Sequence, residues 1–156
     1  MDNNDLSFSA LKERLRNAND TNKHIYSKQL LNIFKTTENP IVRNECALLL
    51  SEYLGNESVE PIVQALQNIN MHKSRGTLLY ALEGLDYHHY FPFIFELMFD
   101  DCFEVNRQAR ILIENAVENC SKESVAKEYM DIINNKCTEL GEDIDYLGSL
   151  METITG

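Results

Sequence analysis

The sequence predicts an all-α fold, a stack of about eight or nine helices arranged as repeated hairpins, and three observations predict it. First, VRNECALLLSEYL (Val42 to Leu54), SRGTLLYALEGL (Ser74 to Leu85) and VNRQARILIENAV (Val105 to Val117) repeat one another. Cys46, Leu49, Leu50 and Tyr53 match Leu78, Ala81, Leu82 and Leu85 at a step of 32, then Ala109, Leu112, Ile113 and Ala116 after a further 31. Second, each set has the i, i+3, i+4, i+7 spacing of one apolar helix stripe. Third, a second helix follows the first two copies, PIVQALQNI from Pro61 and PFIFELMF from Pro92, the prolines 31 apart. Proline suits a helix start because the donor it lacks would be unsatisfied there. A helix pair recurring at this interval marks a solenoid, since one pair cannot bury its apolar face alone.

The elements follow in order. Asn4 to Ala18 reads as a helix with Leu6, Ala10, Leu11 and Leu15 on one side and Ser7 or Asn4 as cap. The polar run Asn19 to Asn22 is turn chemistry, and Thr21 to Lys35 forms a second helix striped by Ile25, Leu30, Ile33 and Phe34. Residues 1–36 thus form an N-terminal capping pair. Three repeats occupy residues 39–135. Asn39 and Pro40 open a helix to Leu54 that Gly55 terminates, and Ser58 caps a partner ending near Ile69. The second repeat spans Lys73 to Leu85 and Tyr90 to about Asp100. The third spans Phe103 to Asn119 and Lys122 to Asn134. After Gly141 a last helix, Asp143 to Ile154, closes the stack over residues 141–156. No alternation suggests a sheet, so the expectation is a single helical-repeat domain.

Aliphatic, aromatic and cysteine residues make up 44% of the 156, which suits a folded chain. The apolar runs are too short to span a bilayer, and the acidic start MDNNDLSF resembles no secretory signal. Cys46, Cys102, Cys120 and Cys137 form no CxxC and read as reduced thiols of a cytoplasmic protein. The charge of −11 is segregated: Met1 to Leu78 carries nine acids and nine bases, Leu79 to Gly156 sixteen acids and five bases. Such asymmetry suits a surface that attracts a basic partner, and it argues against nucleic acid, which needs clustered Lys/Arg.

The Val42–Arg43 start followed by Cys46, Ala47, Leu49 and Leu50 resembles the first helix of HEAT-type repeats. The second copy retains Arg75, Ala81 and Leu82 but has Ser74 for the valine. The third retains Val105 but has Asn106 at the arginine position and Arg107 one place later, leaving its register open by one residue. The resemblance covers about residues 39–130 and implies a right-handed α-solenoid. It also implies that Arg43 and Arg75 are structural, pairing with an acid or with carbonyls of the neighbouring helix.

The helix after Tyr90 is unusual. Analogy with Ile62, Val63 and Leu66 assigns Phe93, Ile94 and Leu97 to the core, leaving Phe91, Phe95 and Phe99 as a further stripe beside Glu96, Asp100 and Asp101. These phenylalanines either pack on the next repeat or form an aromatic anchor flanked by acids, as at a binding hot spot for a basic protein. The expected partner-binding set is Glu83, Asp86, Phe95, Glu96, Phe99, Asp100, Asp101, Glu104, Glu128 and Asp131. Glu142, Asp143 and Asp145 suit the positive end of the last helix. The run Asp86-Tyr87-His88-His89 lacks the ligands of a tetrahedral metal set, and no GxSxG, phosphate loop or HExxH occurs, so no metal, cofactor or catalytic group is expected.

Small size and acidity make the chain similar to the small all-helical immunity proteins of bacteria, which neutralise toxins of contact-dependent or polymorphic systems. That likeness implies a monomer that captures one basic toxin domain, preferably a nuclease, in a 1:1 complex without membrane or nucleic acid. The alternatives are a HEAT-like adaptor or regulatory subunit, and a HEAT-like lyase or glycosylase. The last needs a basic groove where this chain is acidic.

Overall fold

Helix ends fall where asparagine, proline and glycine punctuate the chain. The computed structural model describes residues 3–68, 74–120, 122–141 and 145–155, which are helical or turn with no strand among them. The chain divides into two compact units, Met1–Tyr87 and His88–Gly156, and the boundary falls between the two helices expected of the second repeat.

The first unit contains α1 (Asn3–Arg16), α2 (Asp20–Thr36), α3 (Pro40–Leu54), α4 (Val59–Gln67) and α5 (Arg75–Tyr80). The Asn19 carboxamide accepts from the Asn22 N–H at 3.0 Å to start α2, and Asn39 accepts from the Ile41 N–H at 3.0 Å to start α3. Gly55 ends α3 at φ +55°, a conformation that favours glycine. The expected bounds of α3 are therefore met at both ends.

The repeat stripes are buried in part, with Leu49, Tyr53, Leu85 and Ala116 half-buried. Cys46 and Leu50 on α3, and Leu78 and Leu82 in and just after α5, are fully enclosed, as are Leu30 and Phe34 of α2 and Ile62, Val63 and Leu66 of α4. Two expected core positions are corrected. Ile25 is more than half exposed because it lies five residues before Leu30, about 140° away around the helix. Ser27 takes the inward place, its hydroxyl donating to the Lys23 carbonyl at 2.9 Å. Ala10 is exposed too, and Phe8 joins Leu11 and Leu15 instead. Leu6 and the caps expected from Ser7 or Asn4 lie outside the described side chains.

Ser58 stands at the expected start of α4, but its hydroxyl donates to the Gly55 carbonyl at 2.6 Å rather than accepting from the helix. The cause is local: residues Gly55–Ser58 form a 3₁₀ turn, which directs that hydroxyl backwards. The second repeat's first helix is shorter than expected. It tightens into i→i−3 turns after Tyr80, through Leu82→Leu79 and Glu83→Tyr80, and reverses at Gly84 with φ +75°.

α3 and α5 pack together and run in the same direction. At their starts the buried Arg43 guanidinium donates to the Ser74 hydroxyl at 3.4 Å and to the Thr37 carbonyl at 2.7 Å. Past their ends, the Asp86 N–H donates to the Asn56 carboxamide oxygen at 2.9 Å. Arg43 thus ties the start of α3 to the end of α2, pairing with a neighbouring helix carbonyl.

The second unit contains α6 (Phe91–Glu96), extended by a 3₁₀ turn at Leu97–Phe99, then α7 (Phe103–Glu118), α8 (Glu123–Leu140) and α9 (Asp145–Thr155). α6 packs on α7, and α9 packs on both α7 and α8. Ala109, Leu112 and Ile113 are fully buried, as the repeat predicts. Asn106 donates to the Met98 carbonyl, doing for α7 what Arg43 does for α3. Val105 is buried, Asn106 half-buried and Arg107 exposed at the start of α7. α8 runs six residues beyond the expected Asn134 and stops at Gly141, left-handed at φ +67°. Glu142 and Asp143, expected as caps of α9, lie outside the described residues, while Asp145 opens that helix.

Candidate functional site

α8 turns Tyr129, Ile133 and Lys136 inward at i, i+4, i+7. The third place on that stripe holds an ammonium group instead of a hydrocarbon. A buried cation needs partners, because desolvation without them is costly. Lys136 Nζ lies 2.8 Å from Glu96 Oε2 and 3.1 Å from Glu139 Oε2, with 10% of its side chain exposed. It also sits 4.9 Å from the centre of the Phe99 ring, within cation–π range. The Glu96 hydrogen bond raises the Lys136 pKa above its ordinary value against the opposing effect of burial, and Glu139 adds to it.

An aromatic ladder leads from the core to this group. Phe91 stacks on Tyr129 at 3.7 Å, Phe95 lies 5.9 Å from Phe91, and Phe99 meets Phe95 edge-on at 5.7 Å. Phe91 and Phe95 are fully buried, whereas Phe99 is 36% exposed. Phe95 is therefore removed from the partner-contacting set: a ring without exposed surface cannot touch a ligand. Only Phe99 carries the expected anchor to the surface, and Lys136 already covers one face of it.

The other expected acids fall into separate places. The Asp100 carboxylate accepts from the Cys102 N–H at 2.9 Å, leading into α7, and Asp101 and Glu104 are exposed around the same helix start. The positive end of the helix dipole suits all three. Glu128 and Asp131 are exposed one turn apart on α8. Glu83 and Asp86 are exposed in the turns after α5 and belong to the first unit.

Sequence reasoning misses two residues here. Lys136 is legible as a base on an apolar stripe, but a helix ended at Asn134 leaves it out. Phe103 is 77% exposed at the first position of α7, and its signal is an apolar residue off the helix stripe and next to three acids. A further cluster joins α7 to α9: the Tyr146 hydroxyl donates to Glu114 at 3.0 Å while the Arg110 guanidinium lies 4.5 Å from the Tyr146 ring. Burial foremost, and then Glu114, push the Tyr146 hydroxyl well above its usual range.

No group of three His, Cys, Asp or Glu side chains able to hold a metal occurs among the described residues. The His88 and His89 rings lie against each other at 3.7 Å. Burial, helped by Glu45, pushes the Cys46 thiol up to about 12, so at neutral pH it carries no thiolate to act as nucleophile. Among the described residues no helix is long and apolar enough to cross a membrane. No protein-family model matches the chain, and no curated protein or solved structure matches it either.

Proposed function

We propose that the chain is a protein-binding inhibitor, an immunity protein built as a HEAT-like solenoid that neutralises a basic toxin domain, with a nuclease as preferred target. The observation that carries this reading is the charge of the second unit. His88–Gly156 holds fourteen acids against five bases, a net of −9, and one of those bases, Lys136, is turned inward onto Glu96 and Glu139. Around the start of α7, Asp100, Asp101 and Glu104 accompany the exposed rings of Phe99 and Phe103. Acids around an aromatic anchor suit a cationic partner, giving fast encounter through the field and residence through the rings. A carboxylate surface would occupy the groove where a nuclease holds phosphates.

The test is a binding experiment with a basic nuclease toxin domain, taken from the neighbouring gene if that gene encodes one. Asp100→Lys combined with Asp101→Lys should slow association by about tenfold or more at low ionic strength and flatten its salt dependence. Association rates equal to those of the unaltered chain would remove these acids from the interface. Protection of cells from that domain, kept by the chain and lost by the double variant, separates an inhibitor from an adaptor.

A further inference from the structure

α1 and α2 bound an open cleft of about 540 Å³, lined by Leu11 and Arg14 from one helix and by Lys28, Gln29, Asn32 and Ile33 from the other. That volume lies within the range of clefts that hold ligands. Leu11 and Ile33 give it an apolar floor, while Arg14 and Lys28 bring an exposed cation from each side. Neither cation has a partner among the described residues, whereas Lys12 on α1 is held by Glu45. No carboxylate lines the cleft among those residues. Ile25, one turn before Lys28 and Gln29 on the same side of α2, adds an apolar side chain more than half exposed.

The second unit carries the opposite pattern. Asp101, Phe103 and Glu104 lie within four residues at the start of α7, an aromatic ring between two carboxylates. All three are exposed, Phe103 by 77%, and neither carboxylate has a partner among the described residues. Arg107, the nearest base along α7, lies one turn beyond Phe103. A ring in this setting is the apolar payload that an aromatic anchor brings to an interface.

We propose that segment 101–104 of one copy docks in the α1–α2 cleft of a second copy of this chain. Phe103 covers Leu11 and Ile33, and Asp101 and Glu104 meet Arg14 and Lys28. A free inorganic anion would use the two cations and leave the apolar floor wet. A purely apolar segment would cover the floor and leave the cations facing hydrocarbon. An acid–aromatic–acid segment satisfies both, and this chain carries the segment as well as the cleft. Each copy offers one of each, so the contact is head-to-tail and open, passing beyond a dimer as concentration rises. The patch is small, which places it among weak, reversible associations. The inference needs no toxin and stands apart from the immunity reading, although a toxin held at Asp101 and Phe103 would exclude a second copy.

Sedimentation of the full chain across a range of concentrations tests this. The average mass should rise with concentration at low ionic strength and fall back to that of the monomer in high salt. Arg14→Glu with Lys28→Glu should weaken association at least about tenfold, and so should Phe103→Ser with Asp101→Asn. Both pairs alter exposed side chains, and unchanged circular dichroism and melting would show that the fold survives. Mixing the two variants is the sharpest arm, because one keeps an intact segment and the other an intact cleft. The mixture should form heterodimers and nothing larger. A chain that stays monomeric at every concentration in low salt overturns the assignment and leaves the cleft to an acidic segment of another protein. So does association that either variant leaves intact, or a mixture that fails to recover it.

Discussion

Lys136 Nζ meets the Glu96 carboxylate at 2.8 Å, forty residues away in sequence, and ties the end of α6 to the last turns of α8. Glu96 is exposed, so removing the lysine strands no buried anion. Lys136→Met should therefore change stability by less than about 1 kcal/mol, with the methionine filling the stripe position. The same change takes the net charge from −11 to −12 and uncovers the Phe99 ring. Under the proposed function it should speed capture of a cationic partner, and stopped-flow mixing at two salt concentrations measures it. A loss of several kcal/mol in urea unfolding would instead make Lys136 a structural keystone.

Arg43 is almost enclosed, and its guanidinium serves the Thr37 carbonyl and the Ser74 hydroxyl together. Arg43→Ala leaves a buried carbonyl without its charged donor, a loss of about 1.5–3 kcal/mol. Arg43→Lys should recover only part of this, because one ammonium cannot reproduce the fork. Equilibrium urea curves with an unchanged slope would report the difference as stability.

Leu50 and Leu82 occupy equivalent repeat positions and are fully buried. Truncating either to alanine should cost about 2–5 kcal/mol through lost transfer free energy and the cavity left behind. A cost under about 0.5 kcal/mol, the range of ordinary surface changes, would contradict the packing of that stripe.

Cys46 supplies a pH dependence of definite sign. Its thiol rises from 9.0 to about 12 on folding, so the unfolded chain ionises first as the pH climbs. The stability that Cys46 contributes is complete below pH 9 and is lost between 9 and about 12, to a ceiling of about 4 kcal/mol at 1.36 kcal/mol per unit. Unfolding curves at pH 8 and pH 11 should diverge less for Cys46→Ala than for the unaltered chain. At pH 8 the exposed Cys102 should alkylate quickly while Cys46 stays protected until unfolding.

Periodicity made the helices legible because the apolar stripe records which side each turns inward: Cys46 with Leu50, Leu78 with Leu82, and Ala109 with Ile113 are buried as their spacing requires. Helix ends were legible where one residue commits the backbone, as Pro40 and Gly55 do. They were less so where the chain tightens into 3₁₀ turns after Tyr80 and Glu96, since no single residue announces that change. The site was harder to read. An aromatic stripe looks the same in sequence whether it faces a ligand or a core, and Phe95 faces the core. Lys136 reads as one more surface charge until α8 is carried past Asn134.

Arg43 and Asn106 differ in length, charge and donor count, yet each hands a hydrogen bond to a carbonyl behind it, at Thr37 and Met98 respectively. What positions 43 and 106 share is a tether rather than a residue type. The same tethers also make those turns poor places to graft foreign peptide, because a longer span would pull the donor off its oxygen.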